Sequence, residues 1–227
     1  MLLTLRKTIR DLVFSNRQLA QLYYSVSLSQ PVLPHWVGAD YYRTKSSWEL
    51  QPHLCPCDLE LNEYLQKHHI QNQSIFHFGT GSHHIVGLEN QNLEKPNEIL
   101  AITASVPEHE EYIRICRTNR QLAKFYKVIW NDIYTLTPHS LPMFDVVSLF
   151  HIGEFYMPEE APFTHHNDES LVDLFLSKLN PGGKILFYTE SLGWGTAKKV
   201  IESFSNQGKI KKLETYKHLL VYGKNFS

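Results

Sequence analysis

The sequence predicts an α/β fold: a mainly parallel sheet with helices on both faces, preceded by a helical N-terminal extension. Three observations carry it. From Gln73 onward, short apolar runs alternate with stretches of helical periodicity. The run at residues 144–150 is apolar at nearly every position, as a strand buried on both faces requires. A glycine-bearing turn, Gly79-Thr80-Gly81, joins the first apolar run to a helical stretch.

The elements follow in chain order. Residues 3–22 and 58–68 read as helices, separated by a loop rich in proline, tryptophan and tyrosine that contains Trp36, Tyr41, Tyr42 and Trp48. These first 70 residues form an N-terminal helical cap, and residues 71–227 form the α/β domain. Residues 74–78 are the first strand and 83–90 a helix. Residues 98–103 are the second strand. Pro107 then opens a helix from a favourable first-turn position, and Glu108, Glu110 and Glu111 suit the positive end of its dipole. Residues 127–130 and 144–150 are the third and fourth strands. The helix at 167–179 has a polar start and an apolar face at Leu171, Leu174, Phe175 and Leu179. Pro181-Gly182-Gly183 turns the chain into a fifth strand at 184–189. A helix at 197–204 and two close strands, 210–216 and 219–223, end the domain as an antiparallel edge.

Composition narrows the function. Across 227 residues, 22 lysines and arginines face 23 acids, a net charge of −1. That balance gives no electrostatic case for a nucleic-acid partner. Three cysteines make no disulfide framework. No apolar run is long enough to span a membrane, and the start is too interrupted by Arg6, Lys7 and Arg10 for a signal peptide. The expectation is a cytoplasmic protein whose first helix packs as a lid or makes weak peripheral contact with a membrane surface. Histidine is abundant, at 13, and partly paired: His68-His69, His83-His84, His165-His166.

Parallel sheets bind ligands beyond the carboxyl ends of their strands. The informative loops are therefore 79–84, 103–108, 131–135, 151–157 and 190–195. The first of them, in SIFHFGTGSHH, is followed by a strand ending at Asn131-Asp132, then FDVVSLFHIGEF, then LSKLNPGGKILFYTES. This ordered set resembles the class I S-adenosylmethionine-dependent methyltransferases over roughly residues 70–225. The resemblance implies a Rossmann-like seven-stranded sheet with an antiparallel C-terminal strand. It also implies S-adenosylmethionine as cofactor, held by His77, Gly79, Thr80, Gly81, Thr103, Ser105, Asp132 and Ile133. Three positions depart from the family pattern. His77 stands where an acid is usual, His83 replaces a third glycine, and the second strand ends in Thr103-Ala104-Ser105 where an acid usually grips the ribose.

Methyl transfer from a sulfonium is an in-line displacement that needs alignment and, for many acceptors, a base. His151, Glu154 and Tyr156 follow the fourth strand, where the resemblance places the substrate, and are the catalytic candidates. The expected substrate is a small molecule. Trp194 between Gly193 and Gly195 reads as an aromatic flap or an ordinary turn. A rival arrangement uses His77, His83, His84 and His151 as a histidine-lined pocket, with Cys55 and Cys57 joining if the N-terminal segment folds over it. No C-x₂-C spacing is present, and no metal ligand is assigned. A non-catalytic binding protein on the same fold is the third reading.

Overall fold

The computed structural model describes residues 47–225 except Met157, together with Gln18, Leu19 and Leu22. The chain divides into two compact units, Met1–His35 and Trp36–Ser227, and the sheet lies in the second. The helix predicted at 3–22 falls outside the described residues apart from those three, which are helical. Trp36, Tyr41 and Tyr42 also fall outside.

Seven strands form one sheet in the order β3-β2-β1-β4-β5-β7-β6. They are β1 (Ser74–Phe78), β2 (Glu98–Thr103), β3 (Tyr126–Trp130), β4 (Phe144–Ser148), β5 (Leu179–Tyr188), β6 (Ile210–Tyr216) and β7 (Leu219–Lys224). The pairings from β3 to β5 are all parallel, and β7 runs antiparallel to both β5 and β6. The strand order reverses between β1 and β4, so the switch point opens above Phe78 and Ser148.

The central strands are legible because both faces are buried. In β1 every residue after Ser74 is buried, and in β4 all but Asp145 are. One face packs α1 (Cys57–Lys67), α2 (Ile85–Asn90) and α3 (Val106–Thr118) around Leu61, Tyr64, Val86, Tyr126 and Val146. The other packs α5 (Asp168–Ser177) and α6 (Trp194–Asn206) around Phe76, Phe144, Phe175, Phe187 and Phe204. A four-residue helix, α4 (Leu122–Phe125), leads into β3.

Helix starts follow local chemistry. Ser105 caps α3 by accepting from the Glu108 N–H at 3.3 Å, with Pro107 in the first turn. Asn167 caps α5 in a reciprocal box with Ser170. Two starts differ from the sequence expectation. Helix α2 begins at Ile85, after His84 in a left-handed conformation at φ 45°. Helix α6 begins at Trp194, earlier than the apolar pattern suggests, with Gly193 as its cap residue. Pro181-Gly182-Gly183 does turn the chain, but as a bulge inside a strand that already pairs at Leu179 with Phe144.

Helix α1, within the stretch read as a cap, is packed on the sheet by Leu61, Tyr64 and Leu65. Its buried Glu60 accepts from the His218 N–H at 3.1 Å and pairs with His218 Nδ1 at 2.7 Å, tying the helix to the β6–β7 turn.

Candidate active site

The site is built on the two glycines that end β1. Gly79 has φ +86° and Gly81 φ +53°, the left-handed region in which a Cβ is costly. Each is also crowded. A Cβ on Gly79 would lie 2.5 Å from His151 Cδ2 and 2.9 Å from Nε2, and one on Gly81 would lie 2.5 Å from His83 Nε2 and 2.9 Å from the Trp48 carbonyl oxygen. Only glycine lets the His151 ring and the segment around Trp48 come this close.

Beneath the turn, His77 is fully buried and registers beside Ser148 on β4. Its Nδ1 is 2.8 Å from Ser148 Oγ, and its Nε2 lies 3.5 Å from Asp58 Oδ1 without a well-aligned hydrogen bond. Asp58, in the first turn of α1, is also buried, and its other oxygen lies 3.7 Å from His83 Nε2. Burial alone would raise the Asp58 pKa, but the His77 contact and the His83 charge outweigh it, so the carboxyl stays below its ordinary range.

A second buried carboxylate stands at the end of β2. Glu108 Oε2 accepts from Thr103 Oγ1 at 2.6 Å, with Thr80 Oγ1 at 3.5 Å, and Oε1 accepts the Trp48 N–H at 3.1 Å. Here burial dominates and raises the pKa above that of a free glutamate, despite these hydrogen bonds. Trp48 also accepts through its carbonyl oxygen from Ser82 N at 2.8 Å and Ser82 Oγ at 3.0 Å. The strap before α1 is therefore bonded both to the glycine turn and to Glu108.

The third group follows β4. His151 Nδ1 is 3.2 Å from Glu154 Oε1, which also accepts from Ser191 Oγ at 2.7 Å. A carboxylate there selects the tautomer with the proton on Nδ1, leaving Nε2 as the basic nitrogen, and the Cδ2–Nε2 edge of the ring abuts Gly79. Burial works against the charged ring, but the hydrogen bond and charge of Glu154 prevail and hold the His151 pKa above its usual value. Glu154 is correspondingly lowered against its own burial penalty.

No family model matches the sequence, and no curated protein matches it. Solved structures do match in three dimensions. The CcbJ methyltransferase of Streptomyces caelestis aligns over 82% of this chain and 95% of its own, with TM-score 0.54 and 11% identity. A putative S-adenosyl-L-methionine-dependent methyltransferase of Methanococcus maripaludis aligns over 77% and 87%, with TM-score 0.54 and 9% identity. The precorrin-6y C5,15-methyltransferase of Geobacter metallireducens aligns over 77% and 91%, with TM-score 0.51 and 16% identity. The chain has the class I methyltransferase fold.

Within this methyltransferase fold, the predicted site residues divide into groups. Gly79, Thr80, Gly81 and Thr103 are brought together around Glu108, and His77 lies beneath them. Ser105 serves as the α3 cap, and its N–H donates to Thr103 Oγ1 at 3.1 Å. Asp132 is buried after β3 and accepts from Tyr134 N at 2.9 Å. Ile133 is buried in the cluster that contains Phe78, Ile102 and Ile152. His151 and Glu154 form a pair. Tyr156 stacks beside Tyr134 at 5.4 Å, and Phe78, His151 and Phe155 form mutual ring contacts near 6 Å.

Two expectations read differently in the structure. His84, one of the four histidines of the rival pocket, is a structural residue. Its Nε2 meets the Glu108 carbonyl oxygen at 2.9 Å, its Nδ1 meets the Tyr126 hydroxyl at 3.2 Å, and burial pulls its pKa down to about 4. Among the described residues, no three His, Cys, Asp or Glu side chains converge in a way that would hold a metal. Gly193 is not the base of a free flap: a Cβ there would lie 2.5 Å from the Ile152 carbonyl oxygen and 2.7 Å from Glu154 N. That close backbone contact locks the loop after β5 to the loop after β4. Among the described residues, no helix is long and apolar enough to cross a membrane.

Asp58 and Glu108 are the residues that sequence reasoning missed. In the sequence Glu108 is a helix-dipole acid and the nearest acid after the second strand, and Asp58 is part of a helix start. A shallow cavity of about 240 Å³ opens between His69, Asp145, Pro181 and Lys184, but it lies at the N-terminal ends of the strands, away from these groups.

Proposed function

We propose that the chain is an S-adenosylmethionine-dependent methyltransferase acting on a small molecule. The observation that carries this reading is the pair of buried carboxylates, Asp58 and Glu108, beside the glycine turn. They stand near the two places where the sequence lacks the family's acids, and they arrive from α1 and from the first turn of α3. The donor set fits the group. The bare backbone of Gly79 and Gly81 forms the turn, Glu108 offers acceptors for ribose hydroxyls, and ionised Asp58 favours a cationic ligand.

S-adenosylmethionine, when bound, supplies a methyl group made electrophilic by the sulfonium. Gly79, Thr80 and Gly81 would bind it, Thr103 and Glu108 would hold its ribose hydroxyls, and Asp132 and Ile133 would contact its adenine. His151 Nε2 takes the proton from the acceptor hydroxyl or amine, and Glu154 holds that ring in position and stabilises its charge. Ser191 fixes Glu154. The rings of Phe78, Phe155 and Tyr156 suit a partly apolar small substrate, as does the near-neutral net charge.

Two measurements test the reading. S-adenosylhomocysteine at about a hundredfold over its Kd stabilises the protein by about 2.7 kcal/mol, seen as a rise in Tm, and Gly81→Arg abolishes the rise. No shift at millimolar ligand overturns the cofactor assignment. Methyl label from a cell extract then appears in the low-mass fraction. Label confined to RNA or protein overturns the substrate class.

A further inference from the structure

The strap before α1 carries Cys55-Pro56-Cys57, which the methyl-transfer reading does not use. The two sulfurs lie 3.4 Å apart, in van der Waals contact, and no disulfide is present. Pro56 sets this geometry: as the residue before the first turn of α1, with φ −79°, it turns the chain so that both side chains fall on one side. Cys57 is buried, whereas Cys55 is partly accessible. The third cysteine, Cys116, sits in the last turn of α3.

We propose that Cys55 and Cys57 form a reversible thiol–disulfide site, closed by exchange with a low-molecular-weight disulfide such as oxidised glutathione. The asymmetry of the pair assigns the order. The contact with Cys57 lowers the Cys55 pKa to about 7, against a burial penalty and with help from the His151 charge. The same contact, with burial, pushes Cys57 up. Cys55 is thus the attacking thiolate and Cys57 the resolving thiol.

In the first step the Cys55 sulfur bonds to one sulfur of the small disulfide. The S–S bond of that disulfide breaks, and one glutathione leaves as a thiolate. In the second, Cys57 gives up its proton and bonds to the Cys55 sulfur. The mixed disulfide breaks, and the second glutathione leaves with that proton. The protein is oxidised by two electrons, and one small disulfide is reduced to two thiols. The ring closed through Pro56 is short. Strained, accessible bridges have the more oxidising potentials and are readily reduced.

Closure also acts on the site. While Cys55 keeps its own proton, the Cys57 thiol can donate to Asp58 Oδ1 at 3.5 Å. The disulfide has no proton to give, so Asp58 loses that donor, and the strap that binds Ser82 and Glu108 is drawn against α1.

The test exposes the full chain to oxidised glutathione, alkylates the remaining thiols and maps the peptides by mass. The expected result is one peptide carrying both Cys55 and Cys57, two hydrogens lighter and closed to alkylation, with Cys116 still alkylated. Dithiothreitol restores both thiols. Cys57→Ser accumulates a glutathione adduct on Cys55, and Cys55→Ser reacts at least about tenfold more slowly. A stable adduct on the wild-type chain, full alkylation of both strap cysteines, or equal reactivity of Cys116 overturns the proposal. These readouts need no cofactor, so their failure is separate from failure of the methyltransferase reading.

Discussion

Two glutamates mark the two halves of the site, and their surroundings push them in opposite directions. Glu108, beside β1 and β2, is surrounded by neutral donors: the Thr103 hydroxyl, the Trp48 N–H and the more distant Thr80 hydroxyl. Neither these donors nor the charge of His151 offsets its burial, so its pKa rises. Glu154, after β4, has His151 at 3.2 Å, and its pKa falls. Environments that separate two similar groups assign them separate roles. Glu108 is a hydrogen-bond acceptor whose charge a cationic ligand would stabilise. Glu154 is already paired and keeps a histidine oriented. The half that would receive the cofactor is thus electrostatically incomplete in the free protein, while the half that would receive the substrate is preorganised.

The strongest way to break this division is to disturb the point where the halves touch. Gly79→Ala places a methyl 2.5 Å from the His151 ring, at a residue with φ +86°. The conformation alone costs roughly 1–2 kcal/mol, and the ring must move as well. Methyl transfer is expected to fall by about a hundredfold or more, since displacing a reacting group by an ångström costs that much. Steady-state assays with the wild type alongside check it. Near-normal turnover would show that His151 does not act from its position against Gly79.

The substrate half is tested next. Glu154→Gln removes the charge that raises the His151 pKa. Neutral imidazole is the base, so the rate rises with pH through that pKa. In the variant this rise moves to lower pH, while the plateau falls by about ten- to a hundredfold. Stability gives an independent check on sign. The raised His151 pKa contributes stability that is full below about pH 6.5 and is lost as pH rises through the folded value. The lowered Glu154 pKa contributes stability that is present above about pH 4.3 and lost as pH falls through its folded value. Glu154→Gln removes both contributions, so its stability difference from wild type is greatest between those limits. A pH–rate profile that does not move would place the basic group elsewhere.

The cofactor half predicts a different signature. Glu108→Gln removes a buried carboxylate whose ionisation is disfavoured, so the free protein is expected to lose no more than about 1 kcal/mol, the worth of one hydrogen bond. Binding of S-adenosylhomocysteine is expected to weaken by about tenfold, with the loss of charge-assisted bonds to the ribose. Calorimetry on the variant reads both. A large loss of stability with unchanged affinity would make Glu108 a structural acid.

The same division explains what the sequence could reveal. Strands β1 and β4 are spelled out by runs buried on both faces, the other parallel strands by short apolar runs between turns, and the turn at Gly79–Gly81 by residues that are adjacent. The His151–Glu154 pair was accessible because its members are three residues apart. The cofactor half is assembled across distance: Glu108 meets Trp48, sixty residues away, and Asp58 lies under His77 through the packing of α1. No local pattern records such a meeting, so neither buried carboxylate beside the glycine turn is announced by its neighbours in the chain. The α6 start and the Gly193 contact were obscured for the same reason, because the partner is the backbone at Ile152 and Glu154.

The smallest effect belongs to the far end of the sheet and serves as the control. Gly182 also has a positive φ, +79°, but a Cβ there would meet nothing within 4 Å. Gly182→Ala therefore costs only the conformational penalty, roughly 1 kcal/mol, and a small drop in Tm. It leaves activity and S-adenosylhomocysteine affinity at wild-type values, because the turn lies at the N-terminal ends of the strands. Comparing it with Gly79→Ala separates backbone strain, which both variants share, from the contact with His151, which only one has. Equal losses of activity in the two would mean that strain alone accounts for the effect at Gly79, and that the close approach of the imidazole to the glycine turn has no part in catalysis.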